Sequence, residues 1–475
     1  MQFTLETVIV AMIIISAQFL NLSISKTIIK NTICLGFAFF RWRPIEISIV
    51  VSLGVLFRGQ ILDLVSYLAG LSTSSQAFLT LFVFKFFKVI VHIVSYSLYR
   101  PPLSPDNPTY TSLDCTVIIP TVGEMDSEFI ETVESILACN PASLIISTVG
   151  LEKLEWARRI CAKIDPNILC IAIDRPNKRN QFMAAVNRVN TAITVSADDH
   201  VFWPRTFLQS AIASFEDPHV GLVGTVKRVR RANLGWCFTD FLNFIACLYL
   251  ERHNFECTAS YNIDGGVFVI SGRTVIYRTS IIQSPPFQKA FMNEYWLFGT
   301  IGPMNVDDDN FVCRWMVTHR HGIVFHNSPG ALMGTTLGTS GGWRKFRGQL
   351  DRWARTTWRS NSTTLFADRT AWRTHPWCVY AVYFSAFVNF AAFYDPALFA
   401  TLYFSSFYST CAMKWLAGLL LLSKLIKPLP HYVKNPRDLT YLPLQILFGY
   451  YHSWVKLNAL LTCTNVAWST RAGID

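Results

Sequence analysis

Charge is scarce in this chain. Only 15% of its 475 residues are Asp, Glu, Lys or Arg, 51% are apolar, and mean hydropathy is +0.30. That balance excludes an ordinary water-soluble globule as the whole molecule. The 12 cysteines never form a Cys-x-x-Cys pair, so neither a zinc ribbon nor a disulfide scaffold is expected. Reduced thiols in a core or bilayer are. The central part also lacks a basic cluster. Residues 101–375 hold 27 Lys/Arg against 25 Asp/Glu, whereas 1–100 hold 8 against 3 and 376–475 hold 7 against 3. The net charge of +11 therefore sits mainly in the apolar flanks, which suits anionic lipid and excludes a nucleic-acid-binding face.

What is present falls into three blocks. In the first, 1–99, residues 7–25 run 19 positions without a charge, enough for a membrane-crossing helix. No basic segment precedes that run, so it reads as a retained span and not a signal peptide. Two further apolar stretches follow at 46–70 and 77–99. The latter carries Lys85 and Lys88 on one helical face, pointing into a bundle or snorkelling. A proline-rich linker at 100–105 opens the second block, 100–375. The third, 376–475, has apolar stretches at 376–394, 396–423 and 439–460. About three spans are thus expected on each side. Lys26, Lys30, Arg41 and Arg43 follow a segment, 1–22, with no Lys or Arg. The amino terminus is therefore expected outside and the central block in the cytosol. The sequons at Asn21 and Asn361 then read as chance matches.

The central block alternates β-branched runs, at 116–119, 144–149, 168–173, 192–196 and 220–226, with helical periodicity. Phe129, Val133, Ile136 and Leu137 make one apolar face; Phe182, Val186 and Val189 make another. A mostly parallel α/β sheet with ligands at the carboxyl ends of its strands is expected. Polar clusters mark those ends. VSADDHVFWP at 195–204 closes a strand with Asp198, Asp199 and His200, either a divalent-cation site or a solvated turn. NVDDDNFVCRW at 305–315 places three Asp before an apolar helix, as caps or as crowded carboxylates with one pKa raised to that of a general base. GQLDRWAR at 348–355 lies in a stretch alternating Arg/Lys with Trp. That pattern suits an interfacial helix, a fork for diphosphate oxygens, or both. VIIPTVGE at 117–124 ends a strand in a Pro turn. NKRNQFMAA at 177–185 opens a helix with two cations, which oppose the helix dipole and so point to an anionic ligand.

Taken in order, these motifs resemble the membrane-embedded family 2 glycosyltransferases: hyaluronan, cellulose and chitin synthases, and the fungal polysaccharide-synthase-like transferases. The likeness spans about 95–375 by motif and the flanks by topology. It implies a cytosolic α/β domain of the GT-A type inserted between N- and C-terminal transmembrane helix bundles. The implied reaction is inverting transfer from a UDP-sugar to a growing cell-surface or extracellular polysaccharide, coupled to translocation, at the plasma membrane. A lipid acceptor, ceramide or polyprenyl phosphate, is the alternative, and a degenerate scaffold a third. By the same resemblance Pro120 and Glu124 border the nucleoside, and Lys178 and Arg179 the diphosphate. Asp198, Asp199 and His200 hold Mn or Mg, with Asp199 at the family's second metal Asp. Asp309 is the base with Asp308 beside it, and Gln349, Arg352 and Trp353 form the QxxRW motif. The expected partners are the UDP-sugar, a glycan or lipid acceptor and membrane lipids. Two departures stand out. Ser147-Thr-Val-Gly150 replaces the Asp-Asp-Gly that relatives often use for uracil, and neither register of the Asp-x-Asp motif is intact.

Overall fold

The computed structural model describes residues 58–466. The expected span at 7–25, the loop 23–45 and the first half of 46–70 lie outside the described residues. Helix α1, Thr73–Leu98, covers the expected third stretch and delivers the chain to the central domain, where Tyr99 donates its hydroxyl to the Phe325 carbonyl at 3.0 Å.

The domain is built as the apolar pattern requires. Strand β1 (Cys115–Pro120) is buried throughout. Helix α2 (Ser127–Leu137) is capped by Asp126 and buries Phe129, Val133 and Ile136. Then come β2 (Ser143–Val149), α3 (Leu151–Ile164), β3 (Leu169–Ile173), α4 (Lys178–Val186), β4 (Ile193–Ala197), β5 (Val201–Phe202), β6 (Val220–Thr225) and β7 (Lys227–Val229). A long helix α5 (Phe238–Asp264), strand β8 (Thr274–Arg278), helix α6 (Asp308–Thr318), strands β9 (Gly322–His326) and β10 (Met333–Thr335), and helix α7 (Gly342–Ser362) complete it. The main sheet runs β3-β2-β1-β4-β8-β6-β9, and β5-β10-β7 forms a small second sheet. The five expected strands appear within a residue or two. The sheet is mixed, because β8 lies antiparallel to both β4 and β6. The chain order reverses between β1 and β4, which are parallel neighbours; a crevice at their carboxyl ends is where such sheets take ligands. Apolar clusters cover both faces, one around Phe129, Val133 and Phe207, the other around Phe182, Phe287 and Met316.

The C-terminal flank departs from expectation. Among the described residues only α1 is one helix long and apolar enough to cross a membrane. Pro376–Val388 and α8 (Ala391–Tyr403) pass together, but bent by 92°, as a broken span or re-entrant loop. The bend falls where Asn389 and Phe390 leave the helical backbone. Helix α9 (Thr410–Ile426) has 17 residues, about 26 Å of rise against the roughly 30 Å of a hydrocarbon core. Helix α10 (Leu442–Leu461) interrupts its apolar face with Gln445, His452, Lys456 and Asn458. Within the described residues the flanks therefore hold one membrane-length helix, a bent pair that passes with it, and shorter helices packed around them. Asn361 is buried in α7, so its sequon is inaccessible.

Candidate active site

The crevice between β1 and β4 gathers the acidic motifs. Just past Pro120, the Thr121 N–H donates to the Ser147 carbonyl at 2.9 Å, and its hydroxyl donates to Asp199 Oδ2 at 2.5 Å. The other oxygen of Asp199 meets His200 Nδ1 at 2.9 Å. A Cβ on Gly123 would lie 3.2 Å from Asp199 Oδ2, so this loop approaches the carboxylate as closely as a glycine allows. Asp198 turns the other way, with Oδ1 3.3 Å from Lys178 Nζ.

Lys178 joins the two acidic segments. It opens α4 behind the Asn177 cap and also lies 3.4 Å from Asp308 Oδ2. Burial pulls its pKa down, but Asp198, Asp308 and Asp309 outweigh that and hold the ammonium above its ordinary value. Asp309 is pinned at both oxygens: Gly272 N–H donates to Oδ2 at 3.1 Å, and the backbone and side-chain nitrogens of Asn310 donate to Oδ1 at 2.9 and 3.0 Å. Burial, followed by the charge of Asp308, pushes the Asp309 pKa up to about 6. Two neighbouring carboxylates are thus separated in role. Asp308 meets the lysine, and Asp309 is an oriented carboxyl whose raised pKa suits a general base.

The third aspartate does something else. Asp307 adopts a left-handed backbone at φ 62° and accepts from Arg359 Nε at 2.7 Å and Nη2 at 3.0 Å, with Thr356 donating as well. It clamps the start of α6 to α7. That clamp turns the QxxRW segment toward the site: the charges acting most strongly on Arg352 are Asp309 and Asp308. Gln349, three residues earlier, shares its helix face. Trp353 stacks on Tyr249 at 5.0 Å between centroids.

Two expected residues stand apart. Arg179 is 1% exposed; it donates to the carbonyls of Phe291 and Val306 at 2.7 Å and to Glu294 at 2.5 Å. It braces the loop before α6 and is not brought to the crevice, because one helical step from Lys178 points it inward, over the Phe291 and Phe311 rings. Glu124 is exposed on the loop after β1. Sequence reasoning missed Arg273, whose carbonyl accepts from Asp198 N–H at 2.8 Å and whose guanidinium lies 5.5 Å from the Trp353 ring. It also missed Tyr249 and the Asp307–Arg359 clamp. Only the Arg/Trp alternation of α7 signalled any of these.

Among the described residues no three His, Cys, Asp or Glu side chains gather into a metal cage. Asp199 is committed to Thr121 and His200, and the side chain of Asp198 is 24% exposed. This set fits a hard divalent cation taken from one side, with phosphate and water completing its shell. His200 orients Asp199 in this arrangement.

Residues 114–368 match the family described as "Glycosyltransferase like family 2". The chain belongs to that family. The transferase is 38% identical over 409 residues to a "Type 2 glycosyltransferase" of Gibberella zeae, covering 84% of this chain and 76% of that one. It is 36% identical over 420 residues to one of Pyricularia oryzae, covering 87% and 86%. Among solved structures it resembles a mannosyltransferase from Pyrobaculum calidifontis, in complex with GDP-Man and Mn2+, with a TM-score of 0.50 and 15% identity over 84% of this chain and all of that one. That likeness establishes a GT-A-like α/β fold, and the family membership makes the protein a glycosyltransferase.

Proposed function

We propose that the transferase moves a sugar from a UDP-sugar, with inversion, to a growing cell-surface or extracellular polysaccharide at the cytosolic face of the plasma membrane. The observation that carries this reading is Asp309, a pinned carboxylate with its pKa pushed up to about 6, next to the Asp308 that Lys178 links to Asp198. An acceptor hydroxyl bonded to Asp309 gives up its proton as its oxygen attacks the anomeric carbon. One in-line displacement inverts that carbon. Lys178 and Arg352 stabilise the charge that develops on the departing diphosphate, with Gln349 beside them. Mn or Mg, held by Asp198 and Asp199, would supply further charge neutralisation there. Pro120 and Glu124 border the nucleoside side, and Ser147–Gly150 leave base recognition to groups other than a carboxylate. Trp353, backed by Tyr249, offers a flat face to an acceptor sugar.

Helix α1 and the bent pair support a membrane-bound enzyme in contact with lipid. The intact arrangement of Asp309, Lys178 and Arg352 argues against a degenerate scaffold.

The test is nucleoside-diphosphate release by detergent-purified protein with Mn or Mg, across UDP-glucose, UDP-N-acetylglucosamine, UDP-glucuronate and UDP-galactose. GDP-mannose is the contrasting donor. Turnover on one UDP-sugar, lost in Asp309→Asn, is expected; turnover on GDP-mannose alone would overturn the donor.

A further inference from the structure

The loop Ser271-Gly272-Arg273, which leads into β8, touches each of the acidic motifs of the crevice and the QxxRW motif as well. Strand β8 runs antiparallel to β4 with Thr274 opposite Ala197. One step further along the same ladder, Asp198 donates its N–H to the Arg273 carbonyl at 2.8 Å. Arg273 therefore stands directly across from Asp198, where opposed side chains leave the sheet on the same face. Gly272 N–H donates to Asp309 Oδ2 at 3.1 Å. A Cβ on Gly272 would lie 3.3 Å from Lys178 Nζ and 3.6 Å from Asp309 Oδ2, so the loop is pressed against both. The Arg273 guanidinium lies 5.5 Å from the centroid of the Trp353 ring.

This guanidinium lacks the partners that a bracing arginine has. Arg179 ends on two carbonyls and Glu294. Arg359 ends on the Asp307 carboxylate and the carbonyls of Cys463 and Asn465. Arg273 Nη1 instead donates to the hydroxyl of Ser271, two residues away, at 3.3 Å, and its Nε is buried without a hydrogen-bond partner. Among the described residues Arg273 forms no ion pair, although it stands opposite a carboxylate, because Lys178 takes Asp198 at 3.3 Å. A buried donor without an acceptor is costly, and it is retained where a ligand supplies that acceptor. The neighbours say which ligand. On one side is Asp198, placed for a divalent cation and phosphate; on the other is the QxxRW helix with Arg352. A planar guanidinium matches phosphate oxygens two at a time.

We propose that Arg273 is a further catalytic residue of the transferase, binding the diphosphate of the nucleotide-sugar donor together with Lys178 and Arg352. This rests on the transferase reading and deepens it. The acceptor oxygen bonds to the anomeric carbon, and its proton goes to Asp309. The bond from that carbon to the diphosphate oxygen breaks, the electron pair stays on the oxygen, and Arg273 answers the added charge. One short loop thus fixes the base through Gly272 and the leaving group through Arg273.

The test compares the affinity of UDP with that of uridine, by competition calorimetry on the full-length, detergent-purified protein with Mn, for the wild type, Arg273→Gln and Arg273→Lys. GDP and guanosine are run in parallel. Arg273→Gln is expected to loosen the diphosphate about tenfold, the size of one charge-assisted hydrogen bond, with nucleoside affinity and Tm unchanged. Its kcat is expected to fall by about 10² to 10³. Arg273→Lys, which keeps the charge but not the fork, is expected to recover part of both losses. Unchanged diphosphate affinity and kcat in Arg273→Gln would overturn the proposal. Equal loosening of nucleoside and diphosphate, or a lowered Tm in both variants, would also overturn it, as the mark of a bracing role. Loosening of GDP in place of UDP would leave the contact standing and place the failure in the choice of donor. Tenfold loosening in a protein that turns over no donor would likewise leave it standing and place the failure in the transfer reading.

Discussion

As the proposed base, Asp309 would act only when ionised, and burial with Asp308 beside it raises its pKa to about 6. kcat/KM should therefore climb with pH, inflect near 6 and level off above it, because the carboxylate fraction saturates there. Asp308→Asn removes the charge that helps raise this pKa, so the inflection should move to lower pH; an unmoved inflection would assign the base elsewhere. Asp309→Asn should cut turnover by about 10² to 10⁴ while UDP still binds. The adjacent cations of α4 should behave oppositely. Lys178→Ala should lower kcat by about 10² to 10³ through lost charge stabilisation, with the melting temperature little changed. Arg179→Ala should lower the melting temperature, since it strands the partly buried Glu294 beside Arg314. Both residues were legible in the sequence as a cationic helix start. Which one faced the crevice was not, because a single residue step on a helix turns a side chain by about 100°.

At the scale of elements, the site depends on α6 and α7 keeping their mutual register. The Asp307 and Arg359 side chains are 5% and 3% exposed, so Arg359→Ala leaves a buried carboxylate unanswered and should destabilise the fold by about 3 to 5 kcal/mol. Denaturant titration of the purified protein checks this. The exposed pair Arg230–Glu131, at 47% and 50%, supplies the contrast: its removal should change stability by about 1 kcal/mol or less. The three consecutive aspartates show what local reading can and cannot do. Helix capping and charge crowding were both readable from Asp307-Asp308-Asp309. The division into clamp, lysine partner and base came from residues 50 positions away in α7 and 130 positions away in α4.

For the whole molecule, the decisive feature is how the flanking helices join the transferase domain. Arg231 bridges Asp240 of α5 at 2.6 Å and Asp438, ahead of α10, at 2.9 Å. Asp395 in α8 gathers Lys85 of α1 and Lys424 of α9, both at 2.6 Å. Asp395→Ala leaves two lysines repelling each other inside the helix set and should lower the melting temperature in detergent while UDP affinity persists. Membrane attachment has its own check. Washing at alkaline pH with carbonate should leave the protein in the membrane pellet, and release into the supernatant would overturn the membrane reading.

The sequence by itself determined the strand and helix order of the central domain. Alternation of apolar residues encodes faces locally, and the ordered motifs carry the family. The tertiary structure alone decided the antiparallel place of β8, the inward turn of Arg179, the recruitment of Arg273 and Tyr249, and the 92° break in the C-terminal flank. Each of these depends on contacts between segments far apart in the chain. Hydropathy and spacing record what a segment can bury, and they do not record which distant charge or ring it will meet.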